Sequence, residues 1–179
     1  FIDAGFAFNS TSKNEFIPYT IADRAGLTEQ PILSTFTALL TLPNSRFTVS
    51  ELLDHLEVPA IMQKFELSQT DIVLIKQWLM DCQVKWAKDA AHKALWGLPE
   101  IELNSRIYGL KRMLLGIALD GPKVWHQILS YQHIEGLNAV ILGKLLDYFG
   151  FVVTLSSQLE GDKTLPQWHD LLQHLTDYL

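Results

Sequence analysis

Two helix-start signals constrain the fold of this chain more than any other feature of its sequence. Thr48 and Glu51 form a T-x-x-E pattern, and Ser68 and Asp71 repeat it as S-x-x-D. In such a capping box, each side chain hydrogen-bonds the backbone N–H of the other residue, so the helix start is specified locally. Apolar residues at the N′ and N4 positions of both boxes are placed to form a hydrophobic staple. The pattern predicts helices that begin directly after residues 48 and 68.

Apolar residues at helical spacing extend this prediction to most of the chain. Pro59 suits the first position of a helix between the two boxes, so residues 48–82 are predicted to form three short helices. The other predicted helices cover residues 32–40, 105–120, 137–159 and 168–179. Residues 83–104 have no regular pattern. The sequence therefore predicts a mainly α (all-α) multi-helix domain, with one short strand-like segment near the N-terminus.

That strand-like segment is FIPYTIADR, residues 16–24. Its β-branched and aromatic residues favour a strand, but a single strand cannot satisfy its own ladder hydrogen bonds. We therefore expect it to be short and irregular, or to pair only with residues 1–12. Because the chain begins with Phe1 and ends at Leu179 within an apolar helical pattern, we also expect a piece of a longer polypeptide.

Gly109 and Gly116 lie seven residues apart in the predicted helix 105–120, on nearly the same side. Each weakens a helix by up to ~1 kcal/mol relative to alanine. Close contact with a neighbouring backbone is the predicted compensation.

The sequence contains no recognisable catalytic, cofactor-binding or metal-binding pattern. It has no phosphate-binding G-x-x-x-x-G-K-[ST] loop, no G-x-G-x-x-G and no G-x-S-x-G. Cys82 falls on an apolar helical stripe and is interpreted as a core residue rather than a nucleophile. No histidine belongs to H-E-x-x-H or to an i, i+4 pair, so all six are interpreted as solvated surface residues: His55, His92, His126, His133, His169 and His174.

The formal net charge of -6 argues against binding to nucleic acid through the overall field. A local basic group remains a candidate for contact with a phosphate backbone. It consists of Arg24, Arg106, Lys111 and Arg112, and Arg46 could join it.

Aromatic residues are a second candidate for nucleic-acid contact, because tryptophans can stack on single-stranded bases. Trp78 and Trp168 lie on apolar stripes and are predicted core residues, whereas Trp86, Trp96 and Trp125 are left open.

The three helices of residues 48–82 also allow a helix-turn-helix DNA reader. Such a reader needs polar and basic residues on the exposed face of its recognition helix. The third helix, residues 69–80, offers Lys76 as its basic residue. A stand-alone helix-turn-helix regulator is therefore an alternative, and a three-helix core unit is the simpler interpretation.

No membrane span or secretion signal is expected. The longest apolar stretch, residues 137–155, is interrupted by Asn138, Lys144 and Asp147. Residues 1–15 lack the basic and apolar blocks of a signal peptide. The single cysteine fits a reducing compartment, so a cytoplasmic location is expected.

Four long segments together resemble one protein family. They are FIPYTIADR (16–24), LPNSRFTVSELLDHLEVPAIMQKFELSQTDIVLIKQWL (42–79), RIYGLKRMLLGIALDG (106–121) and LPQWHDLLQHL (165–175). In order and spacing they resemble the RecC family, the gamma subunit of exodeoxyribonuclease V, which is the bacterial RecBCD helicase–nuclease. The segments cover well over half of the chain, whereas residues 1–15 and 87–104 contribute nothing to the resemblance.

The resemblance carries expectations about architecture and function. RecC is similar to a superfamily 1 helicase without ATPase motifs, in which a strand with an I-P-Y-like pattern precedes a helical 2B insertion. This implies that residues 1–24 are the tail of a 2A-like sheet domain and that residues 25–179 form a 2B-like helical domain.

For function, the resemblance implies a non-catalytic scaffold that takes part in DNA strand handling during ATP-dependent unwinding and degradation, in double-strand-break repair and recombination. The expected partners are RecB, RecD and DNA. No cofactor is expected in this segment, since ATP and magnesium would be used by the partner subunits. The competing hypotheses are the helix-turn-helix regulator and an enzyme whose site is not visible in the sequence.

Overall fold

A computed structural model describes residues 6–7, 16–17 and 31–178 of the chain. These residues are mainly helical, as predicted, with two short antiparallel strand pairs. In chain order the elements are β1 (Phe6–Ala7), β2 (Phe16–Ile17), α1 (Pro31–Leu40), a 3-10 helix (Leu42–Asn44), α2 (Val49–Leu56), α3 (Pro59–Lys64), α4 (Gln69–Asp81), α5 (Ala90–Ala94), α6 (Arg106–Ala118), β3 (Val124–Trp125), β4 (Ile128–Leu129), α7 (Asn138–Leu159) and α8 (Leu165–Tyr178).

Both capping boxes form, and they start α2 and α4 at the predicted residues. Thr48 Oγ1 accepts from the backbone N of Glu51 at 3.2 Å, and Glu51 Oε2 accepts from the backbone N of Thr48 at 2.8 Å. Ser68 and Asp71 repeat both bonds at the same two distances. Burial alone would raise the pKa of Glu51, but hydrogen bonds from the Thr48 backbone and the Ser45 hydroxyl outweigh it and hold the pKa below its ordinary value.

Replacing Thr48 by alanine is expected to lower the free energy of unfolding by about 1 kcal/mol, because the N–H of Glu51 loses its cap. The measurement is chemical denaturation of the purified chain, followed by circular dichroism. Thr48→Ser is the matched control, since it keeps the oxygen at Oγ and should stay close to the parent. An unchanged midpoint for Thr48→Ala would contradict the energetic role of the cap.

The long helix α7 forms the centre of the core and packs against α1, α4 and the 3-10 helix. Tyr148, in the middle of α7, is fully buried, and its hydroxyl donates to the backbone oxygen of Leu52 in α2 at 2.7 Å. The ring of Phe65, directly after α3, meets Tyr148 edge-on at 5.5 Å between centroids. This helix therefore joins the capped helices of residues 48–82 to the rest of the domain.

By length and composition, α7 is apolar enough to cross a membrane. The helix also contains Lys144 and Asp147, so the expectation that the chain has no run of about 18 uncharged apolar residues holds. One side of the helix is nevertheless buried against other elements of the domain. On another side, Lys144 Nζ donates to the backbone oxygen of Glu66 at 2.6 Å. These contacts are those of a core helix.

The close approaches predicted at the two glycines of α6 are present. A Cβ at Gly116 would overlap the backbone carbonyl of Tyr131, whose N–H donates to the oxygen of Arg112 at 2.9 Å. A Cβ at Gly109 would overlap the side chain of Val84, so here the neighbour is a side chain rather than backbone. The glycines let α6 lie directly on the segments before and after it.

Helix α5, the 3-10 helix and the β3–β4 hairpin were not predicted; the hairpin pairs Val124 with Leu129 and Trp125 with Ile128. Helix α5 has five residues and is capped by Asp89, whose carboxylate accepts from the N–H of His92 at 2.8 Å. None of these elements is long enough to show a hydrophobic period.

The strand-like segment near the N-terminus is partly described. Strand β2 pairs antiparallel with β1, so that Phe6 faces Ile17 and Ala7 faces Phe16. This confirms the predicted pairing within residues 1–12. The remainder of FIPYTIADR, including Arg24, lies outside the described residues, and the division between residues 1–24 and 25–179 stays a prediction.

Candidate nucleic-acid interface

Arg106, one of the predicted phosphate contacts, lies inside the protein. It is the first residue of α6 and is 7% exposed. Its Nη1 donates to the backbone oxygen of Phe149 at 3.3 Å, and its guanidinium carbon lies 5.1 Å from the centroid of the Phe149 ring. Burial lowers the pKa of Arg106 to about 10, and the nearby Asp89 opposes that shift. The side chain stays cationic at neutral pH, but its charge points into the core and is not available to a phosphate.

Lys111 and Arg112 lie further along α6, and both have partners within the domain. Lys111 Nζ lies 2.6 Å from Glu102 Oε2, with both side chains partly exposed. Arg112 Nε donates to the backbone oxygen of Leu129 at 3.1 Å, and its Nη1 donates to that of Asp81 at 3.2 Å. The guanidinium thus joins α6 to β4 and to the end of α4.

A tyrosine–carboxylate bond strengthens the same junction. The hydroxyl of Tyr131 donates to Asp81 Oδ2 at 2.6 Å. Burial, and then this bond, raise the pKa of Tyr131 well above its ordinary value. The hydroxyl therefore stays protonated at neutral pH and serves as a structural donor.

Two further cations contact tryptophans that the sequence left open. The Arg46 guanidinium lies 4.6 Å from the centroid of the exposed Trp96 ring. The ammonium of Lys93 lies 5.7 Å from the centroid of the half-buried Trp86. Lys93 itself is buried, which lowers its pKa, and it donates to the backbone oxygens of residues 101 and 103. It therefore holds the loop of residues 95–103 in place.

The remaining tryptophans separate into core and surface. Trp78 is 1% exposed and Trp168 packs half-buried against the core, as predicted. Trp125, on β3, is 56% exposed.

The exposed face of α4 has no net positive charge, which argues against a recognition helix. Lys76, its basic residue, is paired with Glu57 in α2. The exposed residues of the helix are otherwise polar, apolar or acidic: Gln69, Thr70, Val73, Gln77, Met80 and Asp81. A helix-turn-helix reader needs positive charge at this position, so the arrangement favours the core-unit interpretation of residues 48–82.

Two of the six histidines are buried, so the prediction that all six are solvated is wrong for them. His55 is 9% exposed and His92 is 5% exposed. Burial lowers the pKa of both, and the His92 ring meets Phe47 edge-on at 5.3 Å. The other four are exposed. Within residues 6–7, 16–17 and 31–178, no group of three or more His, Cys, Asp or Glu side chains could hold a metal.

Cys82 is a core residue, as predicted. Its side chain is 0% exposed, and burial raises the pKa of the thiol to about 12. A thiol of that pKa is protonated at neutral pH and unreactive as a nucleophile.

The fold and these contacts define a class: a helical domain built around one long core helix, in which the buried cations bind the domain's own backbone carbonyls. Residues 29–179 match the family model described as RecBCD enzyme subunit RecC fourth domain, and the chain belongs to that family. The RecC resemblance inferred from the four sequence segments is thereby confirmed.

Relatives agree with this assignment. RecBCD enzyme subunit RecC of Buchnera aphidicola (subsp. Acyrthosiphon pisum) is 30% identical over 169 residues, which cover 94% of this chain and 16% of the relative. The RecC subunit of Escherichia coli K12 is 30% identical over 162 residues, or 90% of this chain and 14% of the relative. That of Mycobacterium tuberculosis H37Rv is 29% identical over 161 residues, or 89% and 15%. The chain thus spans about one seventh of the length of these relatives.

Proposed function

We propose that this chain is a non-catalytic, scaffolding domain of the RecC subunit of exodeoxyribonuclease V. In that role it supports ATP-dependent DNA unwinding and degradation for double-strand-break repair and recombination. The observation that carries the proposal is that charged side chains hydrogen-bond the backbone of other segments of the domain. We call these contacts internal ties. Lys93, Arg106 and Arg112 each donate to backbone oxygens of a different segment.

Such ties suit a scaffold because they fix the relative positions of short elements. A cation that donates to backbone carbonyls across segments keeps its charge satisfied and removes freedom from both segments. The exposed face of α4, which lacks net positive charge because Lys76 is held by Glu57, supports the scaffold over the helix-turn-helix alternative.

The proposal includes the finer expectations from the RecC family. Residues 25–179 would be the 2B-like insertion, following a 2A-like tail at residues 1–24. RecB, RecD and, through the whole complex, DNA would be the partners, and the complex would act in the bacterial cytoplasm. ATP and magnesium would be used by the partner subunits. The expectation of RecB and RecD as partners is supported by the relatives, whose names describe them as subunits of the RecBCD enzyme.

Direct contact with DNA through α6 is not part of the proposal. Arg106, Lys111 and Arg112 direct their charged groups to partners within the domain. Arg24 lies outside the described residues, and its contact with DNA stays a prediction. In the proposed role, strand handling belongs to the assembled complex.

Salt dependence of DNA binding tests this distinction. Lys111→Gln would be placed in a full-length RecC polypeptide carrying this domain and assembled with RecB and RecD. We expect an unchanged slope of log K against log [salt]. The same is expected for the control Lys144→Gln, because Lys144, on α7, is paired with Glu66. A phosphate contact would reduce the slope by about 0.7–0.9. A drop of that size for Lys111→Gln alone would contradict the absence of DNA contact at α6.

The non-catalytic role has a separate test. The purified chain, supplied with magnesium, ATP and duplex DNA, is expected to show neither ATP hydrolysis nor nuclease activity, with the assembled enzyme as the positive control. Turnover that co-purifies with the chain, and persists in independent preparations, would overturn the proposal.

A further inference from the structure

Large apolar side chains are exposed on one side of the domain, along α6, the β3–β4 hairpin and the loop before α6. They are 44–68% exposed. We call this set the apolar face; it consists of Ile101, Leu103, Leu114, Ile117, Val124, Trp125 and Leu129. Scattered apolar residues are normal on a protein surface, but a contiguous patch marks an interaction site.

A groove and an ion pair connect the three elements that carry this face. The groove, of about 410 Å³, lies between α6 and the hairpin, and it is lined by Leu114, Trp125 and Ile128, with Lys111 at its edge. Lys111 Nζ lies 2.6 Å from Glu102 Oε2. Because Glu102 stands between residues 101 and 103, this pair brings the loop that carries them to the Lys111 side of α6.

The backbone beneath the face is held by specific contacts. Lys93 donates to the carbonyls of Ile101 and Leu103, and Arg112 donates to that of Leu129. Preformed surfaces lose less entropy on binding than mobile ones. Lys93 and Arg112 thus fix the backbone from which these exposed apolar side chains project.

The charges on the face suit a protein rather than a nucleic acid. Lys111 is neutralised by Glu102, and Glu100 adds a negative charge to the loop. The exposed Lys123 beside Val124 offsets Glu100, so the face has no net positive charge that would attract a phosphate backbone. An exposed tryptophan surrounded by aliphatic side chains is instead the chemistry of a protein interface core.

We infer that the apolar face docks against an apolar surface of another domain of the same RecC polypeptide. The chain spans 16% and 14% of two of its relatives, and its family is described as a fourth domain. A face of this kind needs a permanent cover, and a tethered domain supplies one at a high effective concentration as soon as both have folded. The inference rests on the placement of this chain within a longer RecC polypeptide under the proposed function.

Thiol labelling tests the inference without using activity. Val124→Cys on the apolar face and Val73→Cys on α4 form a matched pair, because the two valines are 68% and 63% exposed in the domain. Each variant is made in a full-length RecC polypeptide carrying this domain, without RecB or RecD, and labelled with a maleimide. Mass spectrometry of the peptides resolves each site, and the buried Cys82 reports whether the domain has kept its fold.

The expected result is that Val124→Cys labels at least 20-fold more slowly in the native chain than in denaturant, independent of protein concentration. Val73→Cys is expected to label within a few-fold of its denatured rate. If Cys82 becomes reactive in the Val124 variant, Ile101→Cys in the loop replaces it as the probe.

Four results would overturn the inference. Rapid labelling at residue 124 would mean that the face is open. Protection that appears only after adding RecB and RecD would assign the face to a separate subunit, and protection that rises with concentration would assign it to a second copy. Equal protection at residues 73 and 124 would mean that the whole domain is enclosed. None of these results bears on the scaffold role, which is tested separately by the salt dependence of DNA binding and by the activity assays.

Discussion

Gly116→Ala is expected to lower the free energy of unfolding by about 3 kcal/mol, the upper part of the range for inserting a methyl group into a packed site. A Cβ at this position would overlap the carbonyl oxygen and carbon of Tyr131, which are backbone atoms and cannot rotate away. To make room, the segment at Tyr131 must move away from α6. That movement would strain the bond from the Tyr131 N–H to the Arg112 oxygen and the bond from its hydroxyl to Asp81.

The other helical glycines provide matched controls for Gly116→Ala. A Cβ at Gly143 or Gly150, on α7, would meet no neighbouring part of the domain within 4 Å. Alanine there should be neutral or stabilising by up to ~1 kcal/mol through helix propensity. Gly109→Ala should fall between, since it meets the side chain of Val84, which can adjust. Urea denaturation followed by circular dichroism measures all four; equal midpoints for Gly116→Ala and Gly143→Ala would disprove the close approach.

Tyr148→Phe is expected to lower the free energy of unfolding by about 2 kcal/mol. The hydroxyl is fully buried and donates to the Leu52 oxygen at 2.7 Å. Its removal therefore deletes a hydrogen bond to a carbonyl in the core. The edge-on contact with Phe65 survives in the variant because the ring is kept. The loss should therefore report the tie between α7 and α2 rather than the packing of the ring.

Tyr108→Phe is the matched control for Tyr148→Phe. Tyr108 is a half-buried tyrosine on α6, and removal of its hydroxyl should change stability by less than about 0.5 kcal/mol. Thermal and urea denaturation of both variants give the comparison. A Tyr148→Phe variant as stable as Tyr108→Phe would show that the bond to Leu52 contributes nothing to the core.

The elements that the sequence predicted correctly are those specified by contacts between residues close together in the chain. The boxes at Thr48 and Ser68 place the starts of α2 and α4, because the bonding partners are only three residues apart. Helix α7 ends at Leu159, as predicted from its long apolar period. In contrast, α5 and the β3–β4 hairpin were missed because five- and two-residue elements depend on contacts made elsewhere.

The candidate phosphate contacts show what local reasoning leaves undetermined, namely the partners of each cation within the domain. Arg106, Lys111 and Arg112 are equally basic and lie close together in the sequence, yet one is buried, one is ion-paired and one bonds two distant carbonyls. The partners of Arg106 and Arg112, in α7, in β4 and at the end of α4, are separated from them by 17 to 43 residues. Nothing in the spacing of the basic residues could have revealed those partners. The burial of His55 and His92 was missed for the same reason.

By itself, the sequence determined the helical class, the capped starts of α2 and α4, the core position of Cys82 and membership of the RecC family. Each of these depends on neighbours in the chain or on long stretches of residue identity. The tertiary structure decided which cations are internal ties, why Gly116 cannot carry a side chain, and which apolar residues remain exposed on α6 and the hairpin. These depend on segments brought together only when the chain packs around α7, and burial and hydrogen-bond partners do not exist before that packing.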